Sequence, residues 1–250
     1  WADITNFEGN ANAFRLLTHQ FAGRRPGGFV MTYSTLAAIV KYPFASTLAG
    51  NHGKFGFFCS EASTFEQIAD ELGLIRLSAP GEPLRYVRHP LVYLMEAADD
   101  ICYEIMDIED SHKLKILSFD ETKNLLLSFF DNDTQEEIIR RLKEEGVTDE
   151  NEQVVYLRAC VVGKLENECV QTFVDHEDEI LNGTFKGTLI GNISEPQRLA
   201  YKHCSEVSFK RIYRSKPVLD IELSGYKIME TLMQSLISAV VQPDRFHSKQ

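Results

Sequence analysis

Apolar residues recur along most of this chain at three- and four-residue intervals, the spacing that gathers side chains on one face of an α-helix. The opening stretch Asp3–Phe21 puts Phe7, Ala11, Phe14, Leu17 and Phe21 on one such face. Thr32 is a good N-cap for a helix through Lys41, which Pro43 stops. Glu61–Leu74 repeats the pattern with Phe65, Ile68, Ala69 and Leu72, and Gly73 suits its C-terminal end. Further helices are predicted over Asp120–Asp133, Thr134–Gly146, Gln153–Gly183, Glu195–Tyr213 and Glu222–Val241, the last ending at Pro243. Between them lie a turn at Arg24–Gly28, a loop at Asn51–Lys54, a linker at Pro80–Pro90 and a polar loop at Thr148–Gln153. Pro217–Ile221 reads as a short strand or extended link. The fold class expected is all-α, a multi-helix bundle forming a single helical domain over residues 1–250.

The stretch around which the rest is organised is His89–Asp110, predicted as one long helix with Pro90 in its first turn. At ~100° per residue, Leu91, Leu94, Met95, Ala98, Ile101, Cys102, Ile105 and Met106 fall in one apolar arc. Asp99, Tyr103 and Asp107, at i, i+4 and i+8, form a row abutting that arc. This phase makes Asp99 a half-buried acid and turns Asp100 and Glu104 toward solvent. A buried carboxylate needs a cation or hydrogen-bond donors, so Asp99 implies a metal or an arginine.

Composition narrows the function classes. The net charge of −11 disfavours broad nucleic-acid binding, and no apolar run reaches the ~18–20 residues a membrane helix needs. Five cysteines without a CxxC pair suit a reducing, cytoplasmic setting better than a disulfide framework. The run at His176–Glu179 spreads its side chains over different helix faces and reads as a solvated turn. Lys202, Lys210, Arg211 and Arg214 make a local basic face.

The run RHPLVYLMEAADDICYEIMDIED around Asp99 closely resembles the deoxyguanosine triphosphate triphosphohydrolase family of the HD-domain superfamily. NFEGNANAFRLLT at Asn6–Thr18, MTYSTLAAIVKYPFAS at Met31–Ser46 and KFGFFCSE at Lys54–Glu61 agree in the same order. So do YLRACVVGKL at Tyr156–Leu165 and IYRSKPVLDIELSGYKIMETLM at Ile212–Met233. The resemblance implies an HD-type bundle, with residues 1–115 holding the remaining core helices and 116–250 a C-terminal helical region. It also implies that the family's HD dyad and metal-binding histidines precede Trp1. None of the seven histidines here is in an HD dipeptide or has ligand spacing to another. The expectation is the C-terminal portion of a longer enzyme, supplying one metal ligand of four.

By that resemblance, Asp99 is a ligand of a divalent metal, magnesium or manganese. Lys41 contacts the substrate triphosphate, with Lys54 as a second phosphate candidate. Read from the sequence alone, a lysine closing a helix simply complements the helix dipole. Tyr103 stacks beneath the deoxyribose and Asp107 accepts its 3′-hydroxyl. Tyr213 resembles a superfamily tyrosine that packs on the sugar, and reads equally as a helix-end tyrosine against the core. No residue here matches the family's general acid–base pair, so no catalytic residue is assigned. The implied reaction is metal-dependent hydrolysis of dGTP or another dNTP to the deoxynucleoside and tripolyphosphate. Homo-oligomers are implied as well, with nucleic acid only as an allosteric ligand. The alternative is a noncatalytic nucleotide-binding or oligomerisation relative.

Overall fold

The computed structural model describes residues 1–23 and 26–242; Arg24 and Arg25 of the expected turn, and Pro243 with the tail after it, lie outside the described residues. The chain is 67% helical, and among the described residues there is no strand, only isolated bridges such as Phe44 with Arg85. The all-α expectation holds. No helix of the described residues is long and apolar enough to cross a membrane.

The helices in chain order are α1 (Ala2–Thr5), α2 (Gly9–Thr18), α3 (Tyr33–Ala38), α4 (Ala62–Leu72), α5 (Pro90–Lys113) and α6 (Phe119–Leu127). After them come α7 (Asn132–Glu144), α8 (Glu150–Asp175), α9 (Glu177–Leu181), α10 (Glu195–Val207) and α11 (Lys216–Val241). A π-helical turn, Ser208–Ile212, follows α10. Two compact units result: Trp1–Tyr103 with Val162–Arg198, and Glu104–Val161 with the chain from Leu199. Each is assembled from two separated stretches of chain.

In the first unit the predicted caps act as expected. Thr32 accepts the Thr35 amide at the start of α3, and Gly73 closes α4 in the left-handed region at φ 66°. The core gathers Phe14, Phe57, Phe65, Ile68 and Tyr86, with Phe57 stacked on Phe65 at 4.5 Å between centroids. Each of those buried phenylalanines contributes about 1.5–3 kcal/mol. Phe7 and Phe21, expected on the same face, lie outside α2 and are exposed. Lys41 also departs from expectation. Helix α3 stops at Ala38, so Lys41 sits in a bend and not in a last helical turn, and the helix-dipole role does not apply.

In the second unit, α6 starts with a full capping box between Ser118 and Glu121. Ile105, Ile108, Leu126, Phe129, Leu157 and Val161 are buried there. The expected polar loop at Thr148–Gln153 is shorter than predicted, because α8 begins at Glu150 with Asp149 accepting the Glu152 amide. The expected extended link at Pro217–Ile221 is the first turn of α11, where proline's missing N–H has no helical partner to lose. Helix α11 has no buried residue despite its apolar sequence.

Candidate functional site

Helix α5 buries a different face from the one its apolar residues indicate. Val92, Tyr93, Ala97, Ile101, Ile105 and Ile108 are buried, whereas Leu91, Cys102 and Met106 are exposed. Glu96 and Glu104 are inside, at 3% and 8% exposure, and half-buried Asp100 lies between them in sequence at the same four-residue spacing. Asp99 is exposed. The expected assignment of Asp99 to the half-buried position, with Asp100 and Glu104 in solvent, is therefore reversed. The physical reason is that these acids bring partners with them, and a count of apolar residues treats every acid as surface.

Within the first unit Glu96 holds two cations. Its Oε1 lies 3.0 Å from Lys41 Nζ and its Oε2 accepts from an Arg88 guanidinium nitrogen at 3.0 Å. Burial draws the Lys41 pKa down, but the hydrogen bond and charge of Glu96 outweigh it and leave the ammonium above its ordinary value. Asp100 is raised by burial, opposed by Lys41 and reinforced by Glu96 and Asp99. Lys41 and Lys54 both lie over the Tyr42 ring, at 5.9 and 5.7 Å, so the two expected phosphate ligands share one aromatic neighbour. Lys54 reaches Glu8 at 3.5 Å, and Glu8 in turn caps α2 through the Asn10 and Ala11 amides. Backbone packing is tight here: a Cβ on Gly56 would meet the Tyr42 carbonyl oxygen at 2.2 Å, which fixes the segment bearing Lys41 against the one bearing Lys54. Tyr103 is 67% exposed, one turn beyond Asp99 on α5. His89 Nδ1 accepts the Leu91 amide at 3.2 Å and caps the helix, as a residue preceding Pro90 can.

Within the second unit the structure joins Asp107 to Tyr213, whose hydroxyl donates to Oδ2 at 2.5 Å. Burial first, then that hydrogen bond and the charges of Asp107 and Glu104, raise the tyrosine pKa well above its usual value. Tyr213 reaches Asp107 from the end of the π-helical turn, and Glu104 anchors that turn. Ser205 Oγ and Ser208 Oγ each donate to the Glu104 carboxylate at 2.7 Å. Such turns insert one residue into a helix and re-aim the side chains beyond it. Cys204 packs beside Glu104, and burial pushes its thiol up to about 12.

Glu96, Arg88, Glu104 and Ser208 are not among the site residues expected from sequence. A signal for them exists: Glu96, Asp100 and Glu104 share one face by spacing, and Val92 and Tyr93 anchor the helix phase near it. Among the described residues, no group of three His, Cys, Asp or Glu side chains is gathered that could hold a metal ion. Asp99 stands as a single carboxylate, which by itself does not make a divalent-metal site.

No protein-family model matches the chain. A deoxyguanosinetriphosphate triphosphohydrolase-like protein of Pseudomonas aeruginosa is 34% identical over 250 residues, covering 96% of this chain and 54% of the relative. The protein of the same name from Synechocystis is also 34% identical, with the same coverage. A deoxyguanosinetriphosphate triphosphohydrolase of Serratia proteamaculans is 28% identical over 260 residues, covering 96% of this chain and 48% of that protein. The chain spans about half the length of the curated relatives it matches. With nearly its whole length so matched, this chain belongs to the deoxyguanosinetriphosphate triphosphohydrolase family.

Proposed function

We propose that the protein hydrolyses dGTP, or another deoxynucleoside triphosphate, to the deoxynucleoside and tripolyphosphate, in an enzyme whose metal site Asp99 helps to form. The observation that carries this reading is the match over 96% of the chain to a protein named for that activity. Water attacks the α-phosphorus, the bond from phosphorus to the 5′ oxygen breaks, and that oxygen leaves with a proton as the nucleoside hydroxyl. The three linked phosphates depart as tripolyphosphate.

Catalysis of phosphoryl transfer rests on positioning and on charge stabilisation, and each assigned residue serves one of these. Lys41, kept cationic by Glu96, faces the triphosphate, with Lys54 as a second cation on the other side of Tyr42. Tyr103 supports the deoxyribose. Asp107 accepts the 3′-hydroxyl, and the Tyr213 hydroxyl on its Oδ2 holds the carboxylate in one orientation. A ribose 2′-hydroxyl would crowd Tyr103, which gives deoxynucleotides the advantage. A divalent ion, magnesium or manganese, supplies polarisation of a phosphoryl oxygen when bound. Assembly into homo-oligomers belongs to the same proposal.

The test is product analysis by ³¹P NMR after incubating the protein with dGTP and Mg²⁺ or Mn²⁺. The expected products are deoxyguanosine and tripolyphosphate. Formation of dGMP and pyrophosphate, or no turnover with either ion, would overturn the reading in favour of a noncatalytic relative.

A further inference from the structure

The first unit contains a cleft of about 400 Å³ whose lining includes Lys41, Arg85 and Arg88. Neither Asp99 nor Tyr103 lines it. Three cations on one concave surface are conspicuous in a chain of net charge −11. Their compensation is incomplete. Glu96, buried behind Lys41 and Arg88, uses one oxygen for each. A lysine offers three donors and an arginine five, so both cations keep N–H groups beyond those Glu96 engages. Among the described residues no carboxylate is paired with Arg85, whose guanidinium lies 5.1 Å from the Phe44 ring centroid. Set against one carboxylate, the three cations leave a local charge of about +2.

The walls are fixed as well as charged. Arg88 packs over Tyr93 at 5.5 Å, and Tyr93 meets the Phe185 ring edge-on at 5.3 Å while its hydroxyl donates to the Phe185 carbonyl. Gly183, at φ 67°, passes so close to Val87 that a Cβ would lie 2.5 Å from its Cγ1. The loop bearing Phe185 is thereby held against the segment bearing Arg88. A stacked guanidinium keeps its in-plane N–H edge for an anion, and planar forks of this kind suit phosphate oxygens.

We infer that this cleft is a polyphosphate-binding site, in which Arg85 and Arg88 join Lys41 in holding two or more linked phosphate groups. The ligand class is a linear oligophosphate, either free or carried on a nucleoside. A single phosphate leaves part of the positive charge unmet, whereas a tripolyphosphate chain matches it. The inference rests on the proposed function only in sharing Lys41; Arg85 and Arg88 are assigned by the cleft alone.

The experiment is titration calorimetry of the protein with inorganic tripolyphosphate, orthophosphate and dGTP, without divalent metal, alongside the Arg85→Met and Arg88→Met variants. Tripolyphosphate is expected to bind saturably and at least about tenfold more tightly than orthophosphate, with each variant about tenfold weaker. Arg88 bonds a buried carboxylate and its loss can disturb folding, so exposed Arg85 provides the decisive variant, its fold checked by circular dichroism. Competition by dGTP in an Arg85-dependent manner identifies a nucleotide as the source of the phosphates; Arg85-dependent binding of tripolyphosphate alone identifies the free chain. Undetectable tripolyphosphate binding, or binding unchanged in folded Arg85→Met, overturns the inference. The two readings fail separately. Absent dGTP turnover with Arg85-dependent binding removes the hydrolase and keeps the cleft, and the converse removes only the cleft.

Discussion

Glu104 shows how one buried acid can set the geometry of a neighbouring segment. Ser208 is fully buried and its hydroxyl donates to Glu104 Oε1, while half-buried Ser205 donates to Oε2. Substituting Glu104→Ala strands the Ser208 hydroxyl without this acceptor, at a cost of about 1–3 kcal/mol. Glu104→Gln keeps one carbonyl acceptor and should lose less. Urea unfolding of the two variants beside the parent protein measures the difference, and equal losses would mean that packing volume matters more than the two hydrogen bonds. The sequence marks this residue only weakly. Helical spacing places Glu96, Asp100 and Glu104 on one face, but which face lies inside depends on Arg88, on Lys41 some 55 positions away and on Ser208 over 100 away. Those distances in sequence are invisible to a local pattern, so a phase read from the sequence centres on Leu91, Cys102 and Met106, which are exposed. Asp99, Tyr103 and Asp107 nonetheless sit on successive turns of one helix, as their spacing requires.

At the scale of elements, the joints between helices carry most of the polar specificity. Helix α6 is tied to the π-helical turn by Arg211, which donates to Glu121 at 2.7 Å while the same Glu121 completes the capping box with Ser118. The Arg211 hydrogen bond and then the Ser118 contacts hold the Glu121 carboxyl down to about 2, against an ordinary 4.5. A carboxyl depressed in the folded state contributes stability that is present above its unfolded pKa and lost as pH falls toward the folded one. The window is therefore about pH 4.5 down to about 2. Thermal unfolding of Glu121→Gln and the parent protein should show a gap in Tm at pH 6 that narrows steadily through this window. A gap that stays constant to pH 2 would show that the ion pair contributes nothing in solution. The existence and type of the long helices are legible from periodicity and caps, as Thr32, Gly73 and Ser118 illustrate. Helix ends are less so: Pro217 reads as a break and is a helix start, and the π-helical turn has no periodic signature to announce it.

At the scale of the whole molecule, two electrostatic fields compete for a polyanionic ligand. The chain as a whole, at −11, repels it, and the cleft of Lys41, Arg85 and Arg88 attracts it. Which one governs binding depends on distance. Lys41 and Arg88 are each 3.0 Å from the same carboxylate, so a ligand in the cleft lies within a Debye length of both. The net negative charge is spread over the whole surface, and at about 0.15 M salt its more distant parts are screened beyond about 8 Å. Contact attraction should therefore dominate, and added salt should weaken binding by competing with it. Raising NaCl from about 20 mM to about 200 mM is expected to reduce tripolyphosphate affinity severalfold in the parent protein. In the combined Arg85→Met, Arg88→Met variant the attraction is largely gone while the distant repulsion remains, so its slope should flatten or change sign. Fluorescence or calorimetric titrations across the salt series measure both slopes. Affinity in the parent protein that rises with salt would mean that the acidic surface, and not the cleft, controls the approach of phosphate ligands.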